Sequence, residues 1–211
     1  MSISIIIPSR GPVDELARTL RSALGTAHCA LEVVVRCDLD DPALPERVAT
    51  ARTFGATVCV GPRWRGYDDT RAFAHQAAVL TTGEWILHLD DDAEFMRAGW
   101  SEALSVPGGV RAAHLGPSIP FWAVSRGWYN QLGGLLYGGD PVDAWLVEAT
   151  NAAPTLKLDL TAAGFLAHHY KPREAARIAG RDPVVDRIVA PERWIGPKIG
   201  AREAAVILGG L

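Results

Sequence analysis

Cysteine is scarce in this sequence. Cys29, Cys37 and Cys59 are the only three, and no two form a C-x-x-C pair. An odd, scattered set excludes a disulfide framework and a zinc ribbon, and it predicts a reducing compartment. Long apolar runs are missing as well. The N-terminal "SISIII" stops at Pro8, far short of the roughly 18–20 residues of a membrane span, and it carries no basic leader. The expectation is a cytoplasmic protein with no transmembrane segment, at most peripheral at a membrane. Nor is there a surplus of positive charge. Lys and Arg number 21 against 24 Asp and Glu, a net charge of −3, so nothing predicts a nucleic-acid partner held by bulk electrostatics.

Several catalytic signatures are absent too. No G-x-G-x-x-G opens a helix, which argues against an NAD-type dinucleotide fold. "GPRWRGYD" has the glycine spacing of a phosphate-binding loop but lacks its Lys-Ser/Thr pair, and no G-x-S-x-G elbow is present.

What remains is a chain of 211 residues, 48% hydrophobic and 21% charged, long enough for one globular domain spanning 1–211. Its first half alternates. "SISIII" is a short, β-branched run of the kind a strand buried on both faces requires. Asp14 and Glu15 open a helix with Leu16, Leu20 and Ala23 on one face, ending at Gly25. "LEVVVR" (31–36) predicts a second strand, 43–54 a helix, and "ATVCV" (56–60) a third strand. Phe73, Ala74, Ala77, Ala78 and Leu80 share a helical face before Gly83, and "EWILHL" (84–89) predicts a fourth strand. Strand and helix alternating in this way predict an α/β, Rossmann-like, mostly parallel sheet flanked by helices. Residues 107–141 are crowded with Gly and Pro. Beyond the fourth strand, a strand near 109–115, a helix over 143–150 and a strand over 155–160 are expected, with more helix after "HHYKP" (168–172).

In such sheets ligands bind beyond the carboxyl ends of the strands. The polar clusters 9–11, 38–41 and 90–92 all fall there. The last of them, in "HLDDDAEF" (88–95), sets three carboxylates side by side, which costs stability unless a cation or hydrogen-bond donors offset the repulsion. If the strand continues, Asp90 and Asp92 project together with Asp91 opposite. Two carboxylates on one rim suit a hard cation, Mn²⁺ or Mg²⁺. A turn or a helix cap accounts for acidic residues at such a position equally well.

Together "SIIIPSRG", "EVVVRCDLDD" and "GYDDTRAFAHQAAVLTTGEWILHLDDD" resemble a family 2-type glycosyltransferase with the A-type nucleotide-sugar-binding fold. The likeness covers residues 3–95. It implies a nucleotide-sugar-binding half, 1–95, and an acceptor-side half, 96–211. It implies that Pro8, Ser9, Arg10 and Asp38 hold the base and ribose, with Asp40 and Asp41 as alternatives in the same acidic loop. Arg65 or Arg71 would approach the diphosphate. Asp90 and Asp92 would form a D-x-D element in which Asp92 ligates the metal, and Asp90 and Asp91 would line the donor site. His169, or its neighbour His168, would add a metal or diphosphate contact. A general base in the second half would be Asp140, Asp143 or Glu148, and Asp143 is the candidate chosen. His75 stands where many relatives carry an Asn. Trp122, Trp128, Tyr129 and Trp145 could stack on a sugar or fill a core.

The implied activity is a metal-dependent, inverting transfer of a sugar to an unknown glycan, lipid-linked, protein or small-molecule acceptor. A sugar or cofactor nucleotidylyltransferase, or a non-catalytic sugar-nucleotide-binding relative, is the alternative. No feature sets the oligomeric state.

Overall fold

The computed structural model describes residues 1–63, 70–105, 110–116, 121–137, 142–169 and 198–209. Strands β1 (Ser2–Ser9), β2 (Ala30–Asp38), β3 (Thr57–Gly61) and β4 (Trp85–His88) run parallel. Helices α1 (Val13–Thr26), α2 (Leu44–Thr53) and α3 (Thr70–Ala78) connect them. The unbroken apolar run of β1 reflects burial on both faces. Ile3, Ile5 and Ile7 pack into one core with Leu16, Leu20 and Ala23 of α1. Ile6 enters the other core, with Ala74 and Ala77 of α3.

The second half extends the same sheet. β6 (Ala112–His114), β7 (Trp122–Ser125) and β8 (Lys157–Asp159) give the order β3-β2-β1-β4-β7-β6-β8. Only β7 opposes its neighbours, pairing antiparallel with both β4 and β6, while β8 is parallel to β6. The expected strand near 109–115 is shorter, Ala112–His114. The expected strand over 155–160 is a 3₁₀ turn, Pro154–Leu156, followed by β8. Both are too brief for a period-2 pattern to set their ends. β7 escapes sequence patterning for the same reason, set among Gly- and Pro-rich segments.

A separate two-stranded ribbon forms from β5 (Ala93–Phe95) and β9 (Leu166–His168). It rides on α1, where Thr19 Oγ1 donates to the carbonyls of Asp91 and Ala93 and Ser22 Oγ accepts the Phe95 N–H. Among the described residues, the remaining α-helices are α4 (Trp100–Ala103), α5 (Arg126–Gln131), α6 (Val142–Ala152) and α7 (Ala201–Gly209). The helix expected after "HHYKP" lies outside the described residues.

Trp122, Trp128, Tyr137 and Trp145 fill the core beneath α6. Trp122, Trp128 and Trp145 are buried, Trp128 Nε1 donates to the Leu136 carbonyl, and Trp145 Nε1 donates to the Ile199 carbonyl. Core packing is therefore the part these three play. Among the described residues, no helix is long and apolar enough to cross a membrane.

Candidate functional site

β1, β2 and β4 end along one edge, and the loops that follow them meet there. β4 stops at His88, and residues 89–92 form a turn before β5. This turn, not a continued strand, separates the three carboxylates. Asp90 and Asp92 meet His168, whose Nε2 lies 3.5 Å from Asp90 Oδ2 and 3.0 Å from Asp92 Oδ1. One donor atom from each of the three residues lies within 4.8 Å of the others. His168 arrives through the pairing of β9 with β5, in which it sits opposite Ala93. The hydrogen bond to Asp92 raises the His168 pKa above its usual value; burial opposes this, and the charges of Asp92 and Asp90 add to it.

Adjacent residues on an extended strand diverge. His169 accordingly turns to Glu94, with Nε2 2.6 Å from Oε2, and Arg18 Nε is 3.6 Å from the same oxygen. The structure thus brings His168 to the aspartates and places His169 against Glu94.

Asp91 leaves the pair and enters the loop after β1. Its Oδ2 accepts the Ser9 hydroxyl at 2.7 Å, the Arg10 N–H at 3.0 Å and the Gly11 N–H at 2.8 Å. Burial pushes the Asp91 carboxyl above the usual range, while Ser9, Gly11 and Arg47 pull it back. Gly11 fits because it has no side chain: a Cβ there would sit 3.1 Å from both Asp91 oxygens.

The acidic loop after β2 divides between two arginines. Arg10 Nη1 donates to Asp38 Oδ2 at 2.9 Å and to Asp40 Oδ1 at 2.8 Å. Burial opposes the charge on Arg10, yet these two carboxylates hold its pKa above the ordinary value. Asp41 instead pairs with Arg47 of α2 at 2.7 Å. Asp38 also accepts from buried Arg36, which donates to Gln76 Oε1 and stacks on the Phe73 ring with its guanidinium 4.2 Å from the centroid. Pro8 lies in β1 opposite Arg36.

Arg71 is buried on α3. Its neighbour His75 is half-buried there, and burial, then the Arg71 charge, lowers its pKa. Arg65 and Asp140 lie outside the described residues. Asp143 occupies the first turn of α6, with its side chain outside what is described, and Glu148 is exposed on the same helix. Sequence patterning did not single out Arg47. Its signal is its place on the core-facing stripe of α2 with Leu44 and Ala51, where a charge needs buried partners.

No family model matches this sequence, and no curated protein matches it either. Solved structures do. The chain is similar to residues 1–349 of TarS from S. aureus in complex with UDP, at TM-score 0.64 and 13% identity, covering 92% of this chain and 67% of that one. It is similar to a mannosyltransferase from Pyrobaculum calidifontis in complex with GDP-Man and Mn²⁺, at TM-score 0.61 and 17% identity, covering 98% and 68%. It is also similar to glucosyl-3-phosphoglycerate synthase from Mycobacterium tuberculosis in complex with Mn²⁺, UDP and phosphoglyceric acid, at TM-score 0.59 and 14% identity, covering 92% and 80%. The chain therefore has the glycosyltransferase A-type fold.

Proposed function

We propose that the protein is a metal-dependent, inverting glycosyltransferase that moves a sugar from a nucleoside-diphosphate donor to an acceptor hydroxyl. The observation that carries this reading is the meeting of Asp90, Asp92 and His168 at the strand ends where Arg10, after β1, pairs with Asp38, at the end of β2. Two carboxylates and an imidazole, each part-exposed and mutually within 4.8 Å, match the donor chemistry of Mn²⁺ or Mg²⁺. Such an ion, when bound, offsets the negative charge that develops on a departing diphosphate. Arg71 and Arg65 are the arginines proposed to face the diphosphate. Asp38, Asp40 and Arg10, with Pro8 and Ser9 behind them, are proposed to hold the nucleoside.

Asp143, at the start of α6, is the proposed base. As the acceptor oxygen bonds to the anomeric carbon, the bond from that carbon to the diphosphate breaks with its electron pair. The hydroxyl proton passes to the Asp143 carboxylate. The second histidine acts elsewhere. Paired with Glu94, His169 holds the ribbon from which His168 projects.

Calorimetric titration of UDP, GDP and TDP, and of their sugar conjugates, with and without Mn²⁺, tests the reading. Metal-dependent binding of one diphosphate supports it. Tighter binding of a nucleoside triphosphate would favour a nucleotidylyltransferase, and binding without donor hydrolysis or transfer would favour a non-catalytic relative.

A pH dependence follows from His168. The proton that Asp92 and Asp90 hold on its ring must leave before the nitrogen can ligate a metal. Mn²⁺ affinity is expected to rise about tenfold per pH unit below the raised His168 pKa and to flatten above it. Mn²⁺ titrations from acid to mildly alkaline pH check this. A profile as steep in His168→Gln as in the parent would remove His168 from the site.

A further inference from the structure

Of the three consecutive aspartates, only two meet the histidine. The third belongs to a buried network with partners from three strand ends. Asp91 Oδ2 gathers the Ser9 hydroxyl and the N–H groups of Arg10 and Gly11, all from the β1 loop. Arg47 completes the set from α2: Nε to Asp41 at 2.7 Å, Nη1 to Ser9 Oγ at 2.8 Å, and Nη2 to the Gly11 carbonyl at 2.8 Å. Its Nη1 is 3.8 Å from Asp91 Oδ2. The Arg47 side chain is 1% exposed, and its Nε, Nη1 and Nη2 each have a partner within the protein. Every part of its fork is spent on holding the loop after β1, the loop after β2 and the turn after β4 in one arrangement.

Two buried charges cost several kcal/mol to desolvate, and apolar side chains of similar size would fill the space more cheaply. What apolar residues could not do is fix the direction of the Arg10 backbone. Arg10 is the hinge of the arrangement. Its N–H is held by Asp91 while its guanidinium spans Asp38 and Asp40. A shift of that N–H changes where the guanidinium can meet the two carboxylates.

We propose that Asp91 and Arg47 are positioning residues for the nucleoside end of the donor site: they set the place of Arg10, Asp38 and Asp40 and take no part in holding the metal. This rests on the donor reading given above. It also gives two neighbouring acids different roles, since Asp92 holds the metal end and Asp91 the nucleoside end.

The test measures UDP, GDP and TDP affinity at saturating Mn²⁺, and Mn²⁺ affinity without nucleotide, for the parent chain, Asp91→Asn, Arg47→Met and Arg47→Lys. Amide hydrogen exchange at Arg10 and Gly11 is followed in each. The expected result is nucleotide binding weakened about tenfold or more in Asp91→Asn and Arg47→Met. Mn²⁺ affinity is unchanged, the two amides exchange faster, and Arg47→Lys recovers part of the loss. Should either of the first two variants fail to fold, Arg47→Lys carries the test, because it keeps the charge and loses only the fork. Unchanged nucleotide affinity with a lowered Tm overturns the inference and leaves the donor reading standing, with Asp91 and Arg47 only a stability device. A parent chain that binds Mn²⁺ but none of UDP, GDP and TDP overturns the donor reading, and the inference with it.

Discussion

Asp92→Ala is expected to abolish the Mn²⁺-dependent binding of a nucleoside diphosphate and to lower turnover by about 10²–10³-fold or more. Asp92 supplies the nearest carboxylate oxygen to His168, at 3.0 Å, and one of the three donor atoms of the cluster. Its removal leaves Asp90 and His168 alone, 3.5 Å apart, too few side chains to hold a divalent cation against water. The fold itself should tolerate the change. Asp92 follows β4 in a turn, and its loss relieves the repulsion among three neighbouring carboxylates. Thermal shifts with UDP or GDP, with and without Mn²⁺, on the parent and the variant give the answer. A variant that keeps the metal-linked shift would show that Asp92 does not hold the ion.

The second large effect concerns acid stability. His88 ends β4 wholly inside the core on the α3 and α6 side, with its ring centroid 5.9 Å from that of Tyr137. Among the described residues neither of its ring nitrogens finds a hydrogen-bond partner. Burial pushes its pKa down from 6.5 to about 4. Below pH 6.5 the unfolded chain takes up a proton that the folded chain refuses, so the contribution is complete above 6.5 and is lost as the pH falls toward 4. The interval corresponds to about 3 kcal/mol.

His168 has the opposite sign. Its pKa is raised in the fold, so what it contributes is present below 6.5 and is lost as the pH climbs through the raised value. The parent protein sums the two. Chemical denaturation of His88→Leu and the parent at about pH 7 and about pH 4.5 isolates the first: the stability difference between them should shift in favour of the variant at acid pH. Parallel pH profiles would mean that His88 finds a partner for its proton.

The sheet was legible in the sequence where its strands lie in continuous apolar runs. β1, β2 and β4 are apolar and β-branched because helices cover both faces, and α1 shows its buried stripe plainly. The placement of the three acidic and polar clusters at one rim followed from the alternation alone, since parallel strands joined by helices must all end on the same side. The divergence of His168 and His169 and the separation of Asp91 from Asp90 and Asp92 also followed from side-chain alternation, although the aspartates achieve it in a turn.

Three short strands were not legible. β5, β7 and β9 have three or four residues each, less than two periods of a helical pattern and at most two of a strand's, and they exist only through their partners. With β9 went the choice between His168 and His169, because the pairing register, Ala93 opposite His168, decides which ring faces the aspartates. The role of Arg47 was equally out of reach. A sequence shows an arginine on the buried stripe of a helix. Only the packed structure shows that Ser9, Gly11, Asp41 and Asp91, from three separate loops, are what it was buried to hold. Sequence thus determined the elements whose own residues are stabilised by burial and period. Tertiary structure decided the contacts between distant segments, because register and loop convergence are properties of pairs of segments and neither member carries them alone.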